Sequence, residues 1–134
     1  MFEQYRSLDE IMQHGGGEVI RAELNASALY VWAVRHCRFK EIGLVVKTEC
    51  GIMGHYASHN SPDGKIDEIV DSLDQPDIVV RVQERVLLEI LRNFNYIKDH
   101  PLSSFAKYGR HFHMAARDYK KICKAVLGLA CASG

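Results

Sequence analysis

The clearest helical periodicity lies in the last third of the chain. Apolar residues recur at intervals of three and four over residues 79–95, which is the spacing of a helix with one buried face. Pro101 fits the first turn of a second helix, because the N–H that proline lacks is unpaired at that position anyway. We expect this helix to span residues 101–108 and to bury Leu102 and Phe105.

A third helix is expected from His111 or Phe112 to about Ala130. It follows a turn at Gly109, where glycine enters the left-handed conformation without steric cost. Two helices joined by a short glycine-containing turn, the second with a basic outer face, indicate a helix-turn-helix. The alternative is a three-helix bundle whose polar side simply faces water. The basic face of the third helix consists of His113, Arg117, Lys120, Lys121 and Lys124.

The first half of the chain also has mostly helical spacing. Residues 2–13 favour a short helix. Residues 18–39 favour the longest one, with Trp32 in the core and a break near Ser27 allowed. The three glycines at positions 15–17 indicate a helix end and a hinge between the two.

The periodicity weakens in the middle of the chain. Residues 40–60 offer at most a short strand at 42–46 and are otherwise expected to form a long loop. Ser-Pro-Asp-Gly at 61–64 is a strong turn signal, and helical spacing resumes over residues 65–73. The sequence therefore predicts a mainly α fold: a helical domain with a C-terminal helix-turn-helix and a long central loop.

A chain of 134 residues is long enough for one compact unit with its own hydrophobic core. Within it we expect N-terminal helices and the loop over residues 1–64, and a helical module over residues 65–134. There is no run of eighteen apolar residues, and Glu3 and Arg6 interrupt any signal peptide. We therefore expect a cytoplasmic protein without a membrane partner.

Charge is balanced overall but unevenly distributed. The 17 basic and 17 acidic residues give a formal net charge of zero. Residues 63–89 nevertheless contain eight acidic residues against three basic ones, and residues 92–124 contain eight basic against two acidic ones. Such a basic block can bind nucleic acid, or it can pair with the acidic block within one chain or between the subunits of a homo-oligomer.

Two cysteines and two histidines form a candidate zinc set: Cys37, Cys50, His55 and His59. Two sulfurs and two imidazoles suit tetrahedral zinc, although the cysteines are thirteen residues apart rather than in a Cys-x-x-Cys pair. The alternative is that Cys37 is a buried free thiol and that no metal or other cofactor binds. The chain carries neither Gly-x-Ser-x-Gly nor His-Glu-x-x-His, so we do not expect an enzyme.

Three stretches carry a family resemblance. The first is Leu-Tyr-Val-Trp-Ala-Val-Arg at 29–35, followed by Glu-Ile-Gly at 41–43. The second is Lys-Ile-Asp-Glu-Ile-Val-Asp-Ser-Leu at 65–73. The third runs over residues 85–127 and includes Ser-Ser-Phe-Ala-Lys-Tyr-Gly at 103–109. In this order they resemble the antitermination protein Q family of lambdoid phages, whose chains close with a sigma-region-4-like helix-turn-helix.

The resemblance implies a transcription antitermination factor without catalytic residues. Such a protein binds double-stranded DNA beside a phage promoter and acts on bacterial RNA polymerase and its sigma factor, so that the enzyme reads through terminators. Phosphate contacts and base contacts would then come from the basic C-terminal residues. These are Lys107, Arg110, His111, His113, Arg117, Lys120, Lys121 and Lys124.

The sequence also allows three other functions. A DNA-binding repressor or regulator would use the same helix-turn-helix without contacting polymerase. A phage-encoded protein-interaction or inhibitor protein would not bind DNA at all. A small zinc enzyme would need a metal with an open coordination position.

Overall fold

The computed structural model of the chain describes residues 2–133, with the side chains of all of them except residues 101 and 125–133. The described part of the chain forms seven α-helices and a four-stranded mixed sheet. The protein therefore has an α/β fold, and the prediction of a mainly α fold is wrong. The helices are α1 Leu8–Gln13, α2 Gly16–Asn25, α3 Ala28–Cys37, α4 Glu84–Arg92, α5 Phe94–Asp99, α6 Pro101–Tyr108 and α7 Ala116–Ser133, with a 3-10 turn at Gly109–His111. The strands are β1 Glu41–Lys47, β2 Met53–Asn60, β3 Ile66–Val70 and β4 Ile78–Gln83.

The sheet has the strand order β3-β2-β1-β4. Strands β1, β2 and β3 form an antiparallel meander, whereas β4 pairs in parallel with β1. The chain must therefore cross the sheet between β3 and β4, which lie at opposite edges. It does so over Gly43, where an added Cβ would lie 2.9 Å from the Leu73 side chain and 3.3 Å from that of Pro76. Strands β1 and β2 precede residue 64, and strands β3 and β4 follow it. The segments predicted over residues 1–64 and 65–134 therefore share one sheet.

The central loop and the helix expected after it are strands. Residues 41–47 and 53–60 form the β1–β2 hairpin, and residues 66–70 form β3. The predicted turn at 61–64 is confirmed, because the Gly64 N–H donates to the Ser61 carbonyl over 2.9 Å. In so short a segment, the spacing of Ile66, Ile69 and Val70 fits either a helix or a half-buried strand. The segment is a strand because it pairs with β2.

The helix predicted over residues 79–95 is wrong in its first five residues, 79–83. Residues 78–83 form β4, and α4 begins only at Glu84. The reason is the run Ile-Val-Val-Arg-Val, whose β-branched side chains lose rotamer freedom in a helix but pack well on a pleated sheet.

The expected long N-terminal helix is two helices. Ser27 separates α2 from α3, and its side-chain oxygen accepts the Tyr30 N–H over 3.3 Å as an N-cap. Trp32 is 42% exposed and its ring rests against that of His36, with centroids 4.5 Å apart. The expectation that Trp32 belongs to the core is therefore wrong.

The C-terminal module also differs from the prediction. Helix α6 has the predicted bounds, yet Leu102 is 87% exposed and Phe105 is 77% exposed, so neither is buried. Seven residues, 109–115, separate α6 from α7 and contain the 3-10 turn and a strand bridge from His113 to Arg81. This is not the three- or four-residue turn of a helix-turn-helix.

Helix α7 is attached to the sheet by a buried carboxylate. Asp118 is 2% exposed, and one of its carboxylate oxygens accepts the Val79 N–H of β4 over 3.1 Å. One turn further along, Ile122 packs against the buried cluster of Val34, Phe39 and Ile78. The structure describes no side chain of this helix beyond Lys124.

A second carboxylate organises the opposite face of the sheet. The buried Glu41 carboxylate on β1 accepts the N–H groups of Asp74 and Gln75, over 3.0 and 3.4 Å, and so holds the crossover segment. The ring of His59 on β2 lies between two carboxylates, 3.1 Å from Glu41 Oε1 and 2.9 Å from Glu68 Oε1. The hydrogen bond with Glu68, helped by the charges of both carboxylates, raises the pKa of His59 above its ordinary value of 6.5.

Gly51 and Gly64 both have a positive φ, and replacing each with alanine gives a matched pair of variants. Gly51 has a φ of 81° and open space around an added Cβ, whereas Gly64 has a φ of 90° and its Cβ would lie 2.2 Å from the Val31 carbonyl oxygen. We expect Gly51→Ala to cost about 1–2 kcal/mol of unfolding free energy, from the left-handed conformation alone. Gly64→Ala should cost roughly 3 kcal/mol or more, because the clash adds to it. Urea unfolding measures both, and equal losses would contradict the close approach of α3 to this turn.

The two contacts of His59 with carboxylates predict that the stability of the folded protein depends on pH. Because folding raises the pKa of His59, its contribution is fully present below pH 6.5 and is lost as the pH rises through the folded-state value. Urea midpoints measured between about pH 5 and pH 9 should therefore fall less steeply with rising pH in His59→Gln than in the parent. His55→Gln, on the same strand with an exposed ring, is the control and should keep the parent slope. If His59→Gln kept the parent dependence of the urea midpoint on pH, the raised pKa of His59 would be contradicted.

Candidate functional site

The helix-covered face of the sheet presents alternate apolar side chains from all four strands. Side chains alternate between the two faces of a strand, so residues paired across strands share a face. Leu44 on β1 pairs with Tyr56 on β2 and with Val80 on β4, and Ser58 pairs with Ile69 on β3. These five residues form the floor of the candidate site.

Helices α1 to α5 stand over this floor and leave a cavity of about 450 Å³. Its walls are almost entirely carbon. Leu44, Leu87, Ile90 and Phe94 are only half-buried although they lie between the sheet and the helices, because they face this space. The lining residues are Leu8, Met12, Ile20, Leu24, Tyr30, Ile42, Gly43, Leu44, Tyr56, Ala57, Ser58, Ile66, Ile69, Val80, Leu87, Ile90, Leu91, Phe94 and Phe112.

Polar side chains are few in the cavity. Tyr30 on α3 and Ser58 on β2 both line it and hydrogen-bond to each other. Burial raises the pKa of Tyr30, and its hydrogen bond with Ser58 partly offsets that effect. The Tyr30 hydroxyl therefore stays protonated at neutral pH and can donate or accept one hydrogen bond.

Tyr56 is the third polar side chain in the lining. Burial raises its pKa, and the negative charges of Asp9, Glu84 and Asp71 raise it further. Its phenol is therefore neutral at physiological pH. Within the lining residues named above, every titratable group is a tyrosine, so the cavity offers hydrogen bonds but no formal charge.

The cavity has the size and character of a small-molecule site. Pockets for such ligands typically measure about 300–1,000 Å³ and have apolar walls with a few fixed polar groups. A dry apolar cavity of roughly 150 Å³ is already enough to bind benzene. The arrangement can thus hold a hydrophobic molecule about three times that size, with one polar group at Tyr30 and Ser58.

The basic residues predicted to bind DNA are distributed over α6, the segment after it and α7. Lys107 on α6 lies 3.4 Å from the Glu89 carboxylate, which also accepts the Tyr108 hydroxyl over 3.0 Å. The contacts with Tyr108 and Glu89 raise the pKa of Lys107, and those with Tyr108 and Lys107 lower the pKa of Glu89. Both groups are charged at neutral pH and largely neutralise each other's field.

The remaining basic residues fall into two sets. On α7, Lys121 donates to the Asp77 carbonyl over 2.5 Å, and Arg117 lies 3.7 Å from Asp118, whereas Lys120 and Lys124 are exposed. The other set, Arg110, His111 and His113, belongs to the segment before α7.

The candidate zinc residues are not brought together. Cys37 ends α3, just before β1, whereas Cys50 lies in the turn after β1, so the length of that strand separates them. Burial raises the pKa of Cys37, which disfavours the thiolate that binds metal. Both ring nitrogens of His59 contact carboxylates, and His55 is exposed. Among the described residues, no group of three or more His, Cys, Asp or Glu side chains could hold a metal ion.

Sequence reasoning missed the cavity because it assigned helix or loop to three of the four strands that form its floor. The alternation of Ile42, Leu44 and Val46 was the available signal, and it predicted only a short strand. A cavity also depends on the distance between the helices and the sheet, which no local pattern encodes.

In the part of the chain that the structure describes, no helix combines the length and apolar character needed to cross a membrane. The chain matches no protein-family model, no curated protein and no solved structure.

Proposed function

We propose that this protein binds a small, predominantly hydrophobic molecule in the cavity between its sheet and its helices. The cavity itself carries the proposal: about 450 Å³ of space with carbon walls in the position of the hydrophobic core. A protein interior is normally packed as closely as an organic crystal, so side chains between a sheet and its helices seldom face open space. The role proposed is binding and holding a ligand, without a chemical step.

The energetics favour occupation by an apolar ligand over water. An apolar ligand would give the lining side chains the dispersion contacts that they lack on the side facing this space. Water needs two to four polar partners, and the carbon walls do not supply them for more than a few molecules. Tyr30 and Ser58 would accept or donate to a hydroxyl, carbonyl or similar uncharged group of the ligand. A carboxylate in that position would lack a cation among the lining residues.

Blocking the cavity with a larger side chain tests the proposal. We expect the neutral fluorescent probe N-phenyl-1-naphthylamine to bind the parent protein and to lose at least about tenfold in affinity in Leu44→Trp. The indole would occupy space at the floor of the cavity. Leu29→Trp makes the same exchange at an exposed position on α3 and is the matched control, with parent affinity expected.

A second variant guards against misfolding at Leu44. Ile90→Trp fills the cavity from α4 instead of from the sheet. Circular dichroism confirms the fold of each variant. Parent affinity in both folded cavity variants would overturn the proposal, whereas native mass spectrometry of the purified protein would identify a ligand acquired during expression.

DNA binding is a second candidate, and the exposed lysines of α7 favour it. Lys120 and Lys124 lie on the outer side of that helix, and no salt bridge joins either of them to an acidic residue in the described part of the chain. Antitermination through RNA polymerase and sigma factor, or repression, would both start from such contacts. The separation of α6 from α7 means that this surface would have to act without a helix-turn-helix.

Salt dependence tests phosphate contact by α7. If the helix binds DNA, Lys120→Ala should weaken binding to all fragments and lower the slope of log affinity against log salt by about one. Lys65→Ala, in the turn before β3, is the control and should leave the slope unchanged. An unchanged slope in Lys120→Ala would remove DNA as a partner of this surface. If DNA binds, co-purification of polymerase would separate antitermination from repression.

A further inference from the structure

A second recess lies on the side of the sheet away from the apolar cavity. It is a groove of about 570 Å³ between the end of β1, strand β4 and the segment after α6. Three cationic side chains line it: Lys47 from β1, Arg81 from β4 and Arg85 from α4. His111 and His113 line it from the segment before α7.

The groove has no acidic side chain in its lining. Its other lining residues are apolar or neutral, and no salt bridge joins Lys47, Arg81 or Arg85 to a carboxylate within the described residues. Acidic residues lie close to its edge: Glu49 lines an adjoining recess together with Lys47 and Arg85, and the charge of Arg85 lowers the pKa of Glu89. Three cations without a salt bridge therefore line one concave surface, and their summed charge attracts an anion. Arg85 also donates to the Gln83 side-chain oxygen over 3.1 Å.

The backbone fixes the two sides of the groove relative to each other. The Arg81 N–H donates to the His113 carbonyl over 2.8 Å, and the His113 N–H donates to the Arg81 carbonyl over 2.9 Å. This pair of hydrogen bonds is the bridge between β4 and the segment before α7. Because the backbone on both sides is already held in place, ligand binding does not have to order it.

A helix end adds to the positive potential. Helix α4 begins at Glu84, and the residues on either side of it, Gln83 and Arg85, line the groove. No side chain caps this end within the described residues, so its first N–H groups keep their partial positive charge. The Glu84 carboxylate turns away and accepts the Leu8 N–H over 3.3 Å.

We propose that this groove binds the phosphate group of a small molecule, with Lys47, Arg81 and Arg85 as its cationic contacts. Arginine presents a planar fork that matches phosphate oxygens in pairs, and lysine supplies a point charge. A recessed site fits a compact anion such as a phosphate monoester better than a DNA duplex, which needs an extended surface. The lysines of α7 do not line the groove, so this site is separate from the surface considered for DNA. It is also separate from the apolar cavity.

Titration calorimetry with inorganic phosphate and with glycerol 3-phosphate tests the proposal on the full chain. We expect binding that weakens with added salt and falls roughly tenfold in Arg81→Gln and in Lys47→Gln. Arg6→Gln and Lys65→Gln remove the same charges at exposed positions outside the groove and should bind like the parent. The Arg81 backbone makes the bridge, so Arg81→Gln keeps it, and amide NMR shifts at Arg81 and His113 report both the fold and the binding.

Vesicles distinguish the source of the phosphate. Binding to phosphatidylcholine vesicles only when they contain phosphatidic acid, weakened by the same two groove variants, would assign a lipid headgroup. Binding of the soluble phosphates alone would assign a free metabolite. No binding of either, or equal losses in the control variants, would overturn the proposal. Binding of duplex DNA that is lost equally in Lys120→Ala and Arg81→Gln would also overturn it in favour of a continuous nucleic-acid surface.

Discussion

The parallel pairing of β1 with β4 is the contact on which the rest of the molecule depends. It joins six consecutive residue pairs, from Ile42 with Ile78 to Lys47 with Gln83. Without it, the β1–β3 meander would be a small sheet with no connection to the C-terminal half. With it, α4 continues directly from β4 and is carried over the sheet, and the β4 backbone receives both Asp118 and the segment before α7.

The same pairing requires a costly crossover, and polar groups rather than a helix stabilise it. The chain passes from one edge of the sheet to the other through residues 71–77, close against Gly43. Glu41 accepts two backbone N–H groups of that segment, and Asp77 accepts the N–H groups of Lys40 and Glu41. Buried carboxylates that accept backbone hydrogen bonds can replace regular secondary structure where a connection is too short for a helix.

Local sequence signals predicted the parts of the fold that depend on constraints within one turn of the chain. Pro101 begins α6 and Ser27 marks the break between α2 and α3, because proline and a capping serine act within one turn of the chain. The strands at residues 78–83 and 66–70 could not be predicted from such signals, because short β-branched segments adopt whichever structure their partners offer. The zinc hypothesis depended on Cys37 and Cys50 lying near each other, and a seven-residue strand between them decides the distance.

The cavity and the groove lie on the two sides of the sheet, and the segment from His111 to His113 lines both. Phe112 lines the apolar cavity, while its neighbours His111 and His113 line the groove on the other side. Occupants of the two sites would therefore act on the same few residues, which a single pair of backbone hydrogen bonds holds to β4. Thermodynamic linkage makes any such influence reciprocal: if a ligand in the cavity changes the affinity of the groove, a ligand in the groove changes the affinity of the cavity by the same factor.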